Sequence, residues 1–145
     1  MNKECTLIEK IYKDAAMGRY STQKLMENLK GKDNKITDDV EEIFEGYSSF
    51  EEKAKEVLIS CNMTPEEEGS IAKMMSSMGI MKEVLTDNSD PAIADLLIQG
   101  ISMGVIEMEK RIKGASDDIN KDHIKLAKEF LKFQEKAQKK MEKYL

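Results

Sequence analysis

Apolar residues recur at steps of three and four along most of the chain, the spacing that gathers side chains on one face of an α-helix. The first stripe predicts a helix over residues 4–30 and contains Leu7, Ile11, Ala15, Gly18, Thr22, Leu25 and Leu29. The second predicts a helix over 35–61 and contains Ile36, Val40, Ile43, Tyr47, Phe50, Ala54, Val57 and Cys61. Gly31 and Asp33 mark the turn between them. A long continuous seam of this kind is typical of helices packed in a bundle.

Two further helices are each introduced by residues that cap helix ends. Thr64 and Pro65 begin a capping box that predicts a third helix, whose apolar positions are Ile71, Met74, Met75, Met78, Met81 and Leu85. Asp90 as the cap and Pro91 as the first helical residue predict a fourth. This fourth helix is apolar on nearly all sides, which predicts a place at the bundle centre or in a subunit interface.

The last break is marked by Gly114 and the polar residues 116–118, and a final helix is predicted over 117–144. Its stripe is Ile119, His123, Leu126, Phe130, Phe133, Ala137, Met141 and Tyr144. The sequence has only two prolines and eight glycines in 145 residues, too few turn-forming residues for a β-sandwich or barrel. We therefore expect one all-α domain over 1–145, an antiparallel four- or five-helix up-down bundle.

Charge and hydropathy narrow the classes of partner. The net charge is −5, and the cationic residues are spread along the helices, so nucleic acid is not expected as a main partner. No secretory signal opens the sequence, which predicts a cytoplasmic protein. The most apolar stretch, 91–106, is shorter than a membrane span and contains polar residues, so no membrane span is expected.

The short turn near Asp33 makes the first two helices antiparallel neighbours. Cys5 then lies level with Cys61, and Gly18 lies level with Tyr47. The two cysteines could form a redox-sensitive disulfide or half of a metal site, but two buried free thiols are favoured in a reducing compartment.

Small residues also predict a close approach of the third and fourth helices. Ala72 falls level with Gly104, and Ser76 falls level with Gly100. Because these two helices carry so few charges, we expect a homodimer that buries part of their surface.

The long amphipathic helices, with Met-Gly pairs inside them, resemble the ferritin-like superfamily, which includes rubrerythrin-type bundles, and this resemblance implies a bacterial protein. The pairs are Met17-Gly18, Met78-Gly79 and Met103-Gly104. In the metal-binding members, inward glutamates and two Glu-x-x-His motifs hold a di-iron site. This sequence has one histidine, His123, with Asn120 three places before it, so it holds no such motif.

The first two seams also argue against that metal centre. They are predicted to be free of carboxylates, because Glu9, Glu27, Glu41 and Glu51 lie off the stripes. We therefore expect no di-iron centre, no resident cofactor and no catalytic residues.

Two polar residues remain as candidates for a buried polar or ligand site. Asp95 lies on the apolar fourth helix in a line with Gln99 and Ser102, either in a buried hydrogen-bond network or facing solvent near the helix start. His123 lies on the final stripe, where a partly buried, hydrogen-bonded histidine is favoured over a ligand or general base.

The methionines of the third helix, Met75, Met78 and Met81, fit core packing better than a Cu(I) site. A cavity lined by Met74, Met78, Leu97 and Met103 would instead favour a carrier of hydrophobic ligands.

Three hypotheses follow for the function. The first is a non-enzymatic interaction or scaffold module, self-associating. The second is an atypical ferritin-like protein with a metal, haem or apolar ligand in its core. The third is the carrier of hydrophobic ligands.

Overall fold

Four long helices contain most of the residues that the computed structural model describes, which are 3–65 and 87–145. They are α1 (Lys3–Leu29), α2 (Thr37–Ser60), α3 (Asp90–Lys113) and α4 (Lys121–Glu142). No strand occurs in these two ranges, and the all-helical class is confirmed. α3 and α4 correspond to the fourth and last predicted helices, whereas the apolar positions of the predicted third helix lie outside the described residues.

The helix ends follow local hydrogen-bonding chemistry. After α1, Gly31 adopts φ of +79°, a conformation that favours glycine and stops the helix as predicted. α3 begins one residue earlier than predicted, because Ser89 is its cap and accepts a hydrogen bond from the backbone N–H of Ala92 at 3.4 Å. α4 begins at Lys121 rather than 117, because the Asn120 side chain caps it.

Asp90 is not the cap because its carboxylate holds the turn between α1 and α2. It accepts hydrogen bonds from Nδ2 of Asn34 at 2.8 Å and from the backbone N–H of Lys35 at 3.1 Å. Asn28, near the end of α1, donates to Oδ1 of Asn88 at 2.8 Å. The start of α3 is therefore fixed beside the α1–α2 turn.

Contacts between the helices define their directions. Cys5 meets Cys61 at one end of the α1–α2 pair, so these helices are antiparallel. α3 runs antiparallel to α1, since its start lies beside the α1–α2 turn and its later part pairs with the early part of α1 through Lys10 and Glu107. α4 runs antiparallel to α2, because Tyr144 donates to Asp39 at 2.5 Å. It follows that α2 and α3 are parallel, as are α1 and α4.

The core confirms the first two predicted stripes and shifts the last one. Of the predicted α1 positions all but Gly18 are buried. On α2, Leu58 is buried where Val57 was predicted, and Val57 is half-buried. On α4, the buried face is Ala127, Phe130, Gln134, Ala137 and Met141. Leu126 and Phe133 of the predicted stripe are only half-buried.

An aromatic cluster joins α2 to α4. Its four rings are Tyr47, Phe50, Phe130 and Phe133, and the paired ring centroids lie 5.0–6.3 Å apart. Edge-to-face and offset contacts at these separations are favourable beyond simple burial. All four rings occupy positions that the apolar pattern identified.

α3 is less enclosed than predicted. Its buried residues are Ile93, Ala94, Leu97, Ile101 and Met108, whereas Met103 and Ile106 are 59% and 53% exposed. Among the described residues α3 is therefore buried on one side and exposed on another, and its place at the bundle centre or in a subunit interface stays a prediction. By length and composition α3 could cross a membrane, with a mean hydropathy of 1.3 over 18 residues; core helices of soluble proteins share these properties.

Candidate functional site

A cleft of about 330 Å³ opens between α1 and α3, bounded also by Tyr47 of α2 and Gln134 of α4. Most of its surface is apolar, and a few polar side chains converge on it. This combination is typical of small-molecule sites. The lining residues are Lys10, Asp14, Met17, Gly18, Ser21, Leu25, Tyr47, Leu96, Leu97, Gly100, Ile101, Met103, Gly104, Glu107 and Gln134.

Three glycines shape the cleft. A Cβ at Gly18 would lie 2.6 Å from the Tyr47 ring, which confirms the predicted pairing of these two residues. A Cβ at Gly104 would lie 2.5 Å from Nε2 of Gln134. A Cβ at Gly100 would meet no atom of residues 3–65 or 87–145 within 4 Å, so this glycine leaves space on the α3 side of the cleft.

An ion-pair network lies at one side of the cleft. Lys10 Nζ is 3.0 Å from Oδ1 of Asp14 and also forms an ion pair with Glu107 across to α3. Burial lowers the pKa of Lys10, but its hydrogen bonds and attraction to the two carboxylates outweigh burial and raise the pKa above 10.5. Burial raises the pKa of the Asp14 carboxyl above 3.8, and the opposing effect of Lys10 does not cancel it.

Tyr47 and Gln134 form the buried polar floor. The two side chains are 4% and 2% exposed, and Gln134 lies close enough to the Tyr47 hydroxyl to influence its pKa. Burial raises the pKa of the Tyr47 hydroxyl to about 12; the hydrogen bond from Gln134 opposes this shift, and repulsion from Asp14 adds to it. Tyr47 is therefore a neutral phenol at physiological pH, able to donate and accept hydrogen bonds.

Two buried oxygens at the cleft have no hydrogen-bond partner among the described residues. They are Oδ2 of Asp14 and Oε1 of Gln134. Buried polar atoms are nearly always paired in folded proteins, so each unpaired one requires an explanation. Both atoms accept hydrogen bonds, and both belong to residues that line the same cleft.

Sequence reasoning missed both residues, although the spacing contained a signal. Asp14 lies three residues after Ile11 and four before Gly18, so it belongs on the first stripe. Its side chain is 13% exposed, and the expectation of a carboxylate-free seam is wrong at this position. Gln134 lies four residues after Phe130 and three before Ala137, which likewise places it on the buried face of α4.

The structure places Asp95 in solvent rather than in a buried network. Its Oδ2 accepts a hydrogen bond from Nε2 of Gln99 at 3.0 Å, and both side chains are exposed. Of the two alternatives predicted for Asp95, the structure therefore supports the carboxylate that faces solvent near the helix start. The helical spacing was read correctly, but α3 presents that face outward.

His123 is half-buried in the first turn of α4 and lies away from the cleft. Its Nδ1 has no hydrogen-bond partner within the described ranges, in contrast to the hydrogen-bonded histidine that was expected. No group of three or more His, Cys, Asp or Glu side chains that could hold a metal ion occurs within 3–65 and 87–145.

Cys5 and Cys61 lie opposite each other in the α1–α2 pair, as the sequence predicted. The structure joins them in a disulfide with a Cα–Cα distance of 6.5 Å, instead of the two free thiols that were favoured. The physical reason is register, because the antiparallel pair places the two side chains opposite each other at one end.

Of the four residues whose cavity would favour a carrier of hydrophobic ligands, Leu97 and Met103 line the cleft. Met74 and Met78 lie outside the described residues, as do Met75 and Met81. The predicted small-residue pairs of Ala72 with Gly104 and Ser76 with Gly100 also depend on residues outside the described ranges.

Fold and site together define a helical bundle with an amphipathic cleft. No family model, curated protein or solved structure matches this chain.

Proposed function

We propose that the protein binds a small, largely apolar molecule in the cleft between α1 and α3. The observation that carries the proposal is Gln134, a side chain 2% exposed whose Oε1 has no partner among the described residues. Leaving a buried acceptor unpaired costs roughly 1–3 kcal/mol, so a ligand that donates to it gains correspondingly. Asp14 offers a second acceptor at the same cleft.

The lining supports a binding site more than a catalytic one. The apolar walls supply burial, and the polar groups lie at the floor and one side, where they would orient a ligand. This matches the hypothesis of an apolar ligand in the bundle core, which the sequence alone left as an alternative to a scaffold.

Binding can be measured with Nile red, a neutral fluorescent dye. We expect the dye to bind the protein and to protect it against thermal unfolding, as any ligand of the folded state does. Gly100→Leu places a side chain in the open space of the cleft and should weaken binding about tenfold or more, since it fills the volume that the ligand requires.

Gln99→Leu is the matched control, because it adds the same side chain one position away on α3 and outside the lining. Dye binding that is absent, or that both variants leave unchanged, would refute the proposal.

The exposed side chains of α3 favour a second function, self-association as an interaction module. Met103 and Ile106 are large, apolar and more than half exposed on one helix. Exposed apolar surface of this kind is commonly buried in the interface of a symmetric homodimer. The occupant that we propose is a second copy of the chain.

We also propose that the fold is ferritin-like, a proposal supported by the four described helices of 22–27 residues. The absence of Glu-x-x-His in the sequence separates it from the di-iron members. A cytoplasmic location is likewise retained as a proposal.

A further inference from the structure

We infer that the ligand of the cleft is a small organic cation, an amine on an apolar body, that donates to Asp14 and Gln134. The inference rests on the proposed function and adds the chemical class of the ligand. It is carried by the charges and the acceptor atoms at the cleft.

The charged groups that line the cleft do not balance. Lys10 contributes one positive charge, whereas Asp14 and Glu107 contribute two negative charges, so the lining carries a net charge of −1. Arg111 attracts Asp14 from one turn beyond Glu107, but it does not line the cleft. Tyr47 is neutral at physiological pH. A monocation would balance the lining, and an anion would add to the repulsion.

The unpaired atoms at the cleft are acceptors. Lys10 engages Oδ1 of Asp14, which leaves Oδ2 available, and Oε1 of Gln134 lies at the floor. A carboxylate oxygen and an amide oxygen accept but do not donate. A protonated primary amine carries three donors and can donate to more than one acceptor, whereas an alcohol carries one.

The remaining surface suits the hydrocarbon part of such a molecule. Met17, Leu97, Ile101 and Met103 form apolar walls beside the polar groups. Methionine side chains adapt to ligands of different shape. These walls therefore restrict the size of the ligand's hydrocarbon part more than its shape.

Three molecules of similar size separate the classes of ligand: 2-phenylethylamine, 2-phenylethanol and phenylacetate. Their affinities are measured near neutral pH by displacement of Nile red and by calorimetry. We expect the amine to bind about tenfold or more tightly than the alcohol, because a charge-assisted hydrogen bond is roughly twice as strong as a neutral one. Phenylacetate should bind least. An alcohol or carboxylate that binds as tightly as the amine would overturn the inference.

Two variants test the named groups. Asp14→Asn keeps the shape but removes the charge, and it should bring amine affinity down to that of the alcohol while Nile red still binds. Lys10→Met removes the cation that competes for Asp14, and it should tighten amine binding. Amine binding that neither substitution changes would also reject the inference.

The two proposals fail in different ways. If Nile red binds in a manner sensitive to Gly100→Leu but the amine has no advantage, only the cation inference is wrong. If Nile red does not bind, the proposed function is wrong and the cation inference falls with it.

Discussion

A buried carboxylate beside a single ammonium makes Asp14 sensitive to pH. Because burial raises the pKa of this carboxyl, the folded protein holds the proton more tightly than the unfolded chain does. The contribution of Asp14 to stability is therefore greatest below its ordinary pKa of 3.8 and is lost as pH rises through the raised pKa.

Asp14→Asn should remove this dependence. We expect the variant to gain stability relative to the native protein as the pH rises from about 3 to about 7, since only the native carboxyl must ionise in a buried site. Urea unfolding of both proteins across this range measures the difference. Parallel pH profiles would contradict the assignment, and Asp122→Asn at an exposed position serves as the control.

Two glycines on different helices should respond oppositely to alanine. A Cβ at Gly46 would overlap the ring of Phe133, which the aromatic cluster holds in place, so Gly46→Ala should destabilise the fold by about 1–3 kcal/mol. Gly100 has open space, so Gly100→Ala should stabilise it by about 0.5–1 kcal/mol through helix propensity. Chemical denaturation measures both; a neutral Gly46→Ala would mean that the Phe133 ring moves aside.

At the residue scale, the sequence predicted the apolar members of the site better than the polar ones. Leu97 and Met103 were named as lining a cavity, and they line the cleft. Asp14 and Gln134 have the spacing of buried positions, yet the sequence analysis identified neither as a site residue. Spacing decides orientation on a helix, and whether a polar residue at such a position is buried depends on the facing helix, which the spacing does not specify.

Among the elements, the α1–α2 pair is held by a covalent link as well as by packing. The disulfide joins residues separated by 56 positions, and in the loop-entropy description closing a loop of this length stabilises the fold by about 4 kcal/mol at 25 °C. The link acts on the unfolded chain, because it prevents the two ends of the pair from separating.

Reduction should therefore lower the stability of the native protein. We expect about 4 kcal/mol less free energy of unfolding with dithiothreitol, or in the Cys5→Ala, Cys61→Ala double variant. Dithiothreitol should have no effect on that double variant, which is the internal control. Equal stability of the native protein with and without reductant would show that the cysteines are not linked in solution.

The apolar pattern predicted the four described helices within a few residues, and its errors have specific causes. α4 starts at Lys121 because Asn120 provides the cap, although the preceding polar residues 116–118 look equally suited. α3 uses Ser89 because Asp90 is engaged by Asn34 and Lys35 from a distant turn. Cap choice depends on such distant contacts, which the local sequence does not contain.

For the whole molecule, the exposed side of α3 predicts concentration-dependent association. Ile106→Lys should raise the dissociation constant of a dimer about tenfold or more, because it replaces one of the two exposed apolar side chains with a charge. Sedimentation of both proteins over a range of concentrations measures this. Ser49→Lys, at an exposed position of α2, is the control, and a native protein that stays monomeric throughout would contradict the prediction.

The placement of α3 was the least predictable part of the architecture. A helix that is apolar on nearly all sides has no single preferred face, so its periodicity does not determine which side meets the bundle. The stripes of α1 and α2, with wide polar faces opposite them, contained that information. The all-helical class and the α1–α2 register therefore followed from the sequence, whereas the cleft depended on how α3 docks.

The aromatic cluster has a consequence for synthesis. Tyr47 and Phe50 belong to α2, but the rings that cover them, Phe130 and Phe133, are about 80 residues further along the chain. Ribosomes make the N-terminal part first, so the nascent α1–α2 pair emerges before the α4 rings that pack against Tyr47 and Phe50. During that interval the growing chain exposes an aromatic surface that is prone to non-native contacts. A chaperone that binds this surface would protect the chain until α4 is made.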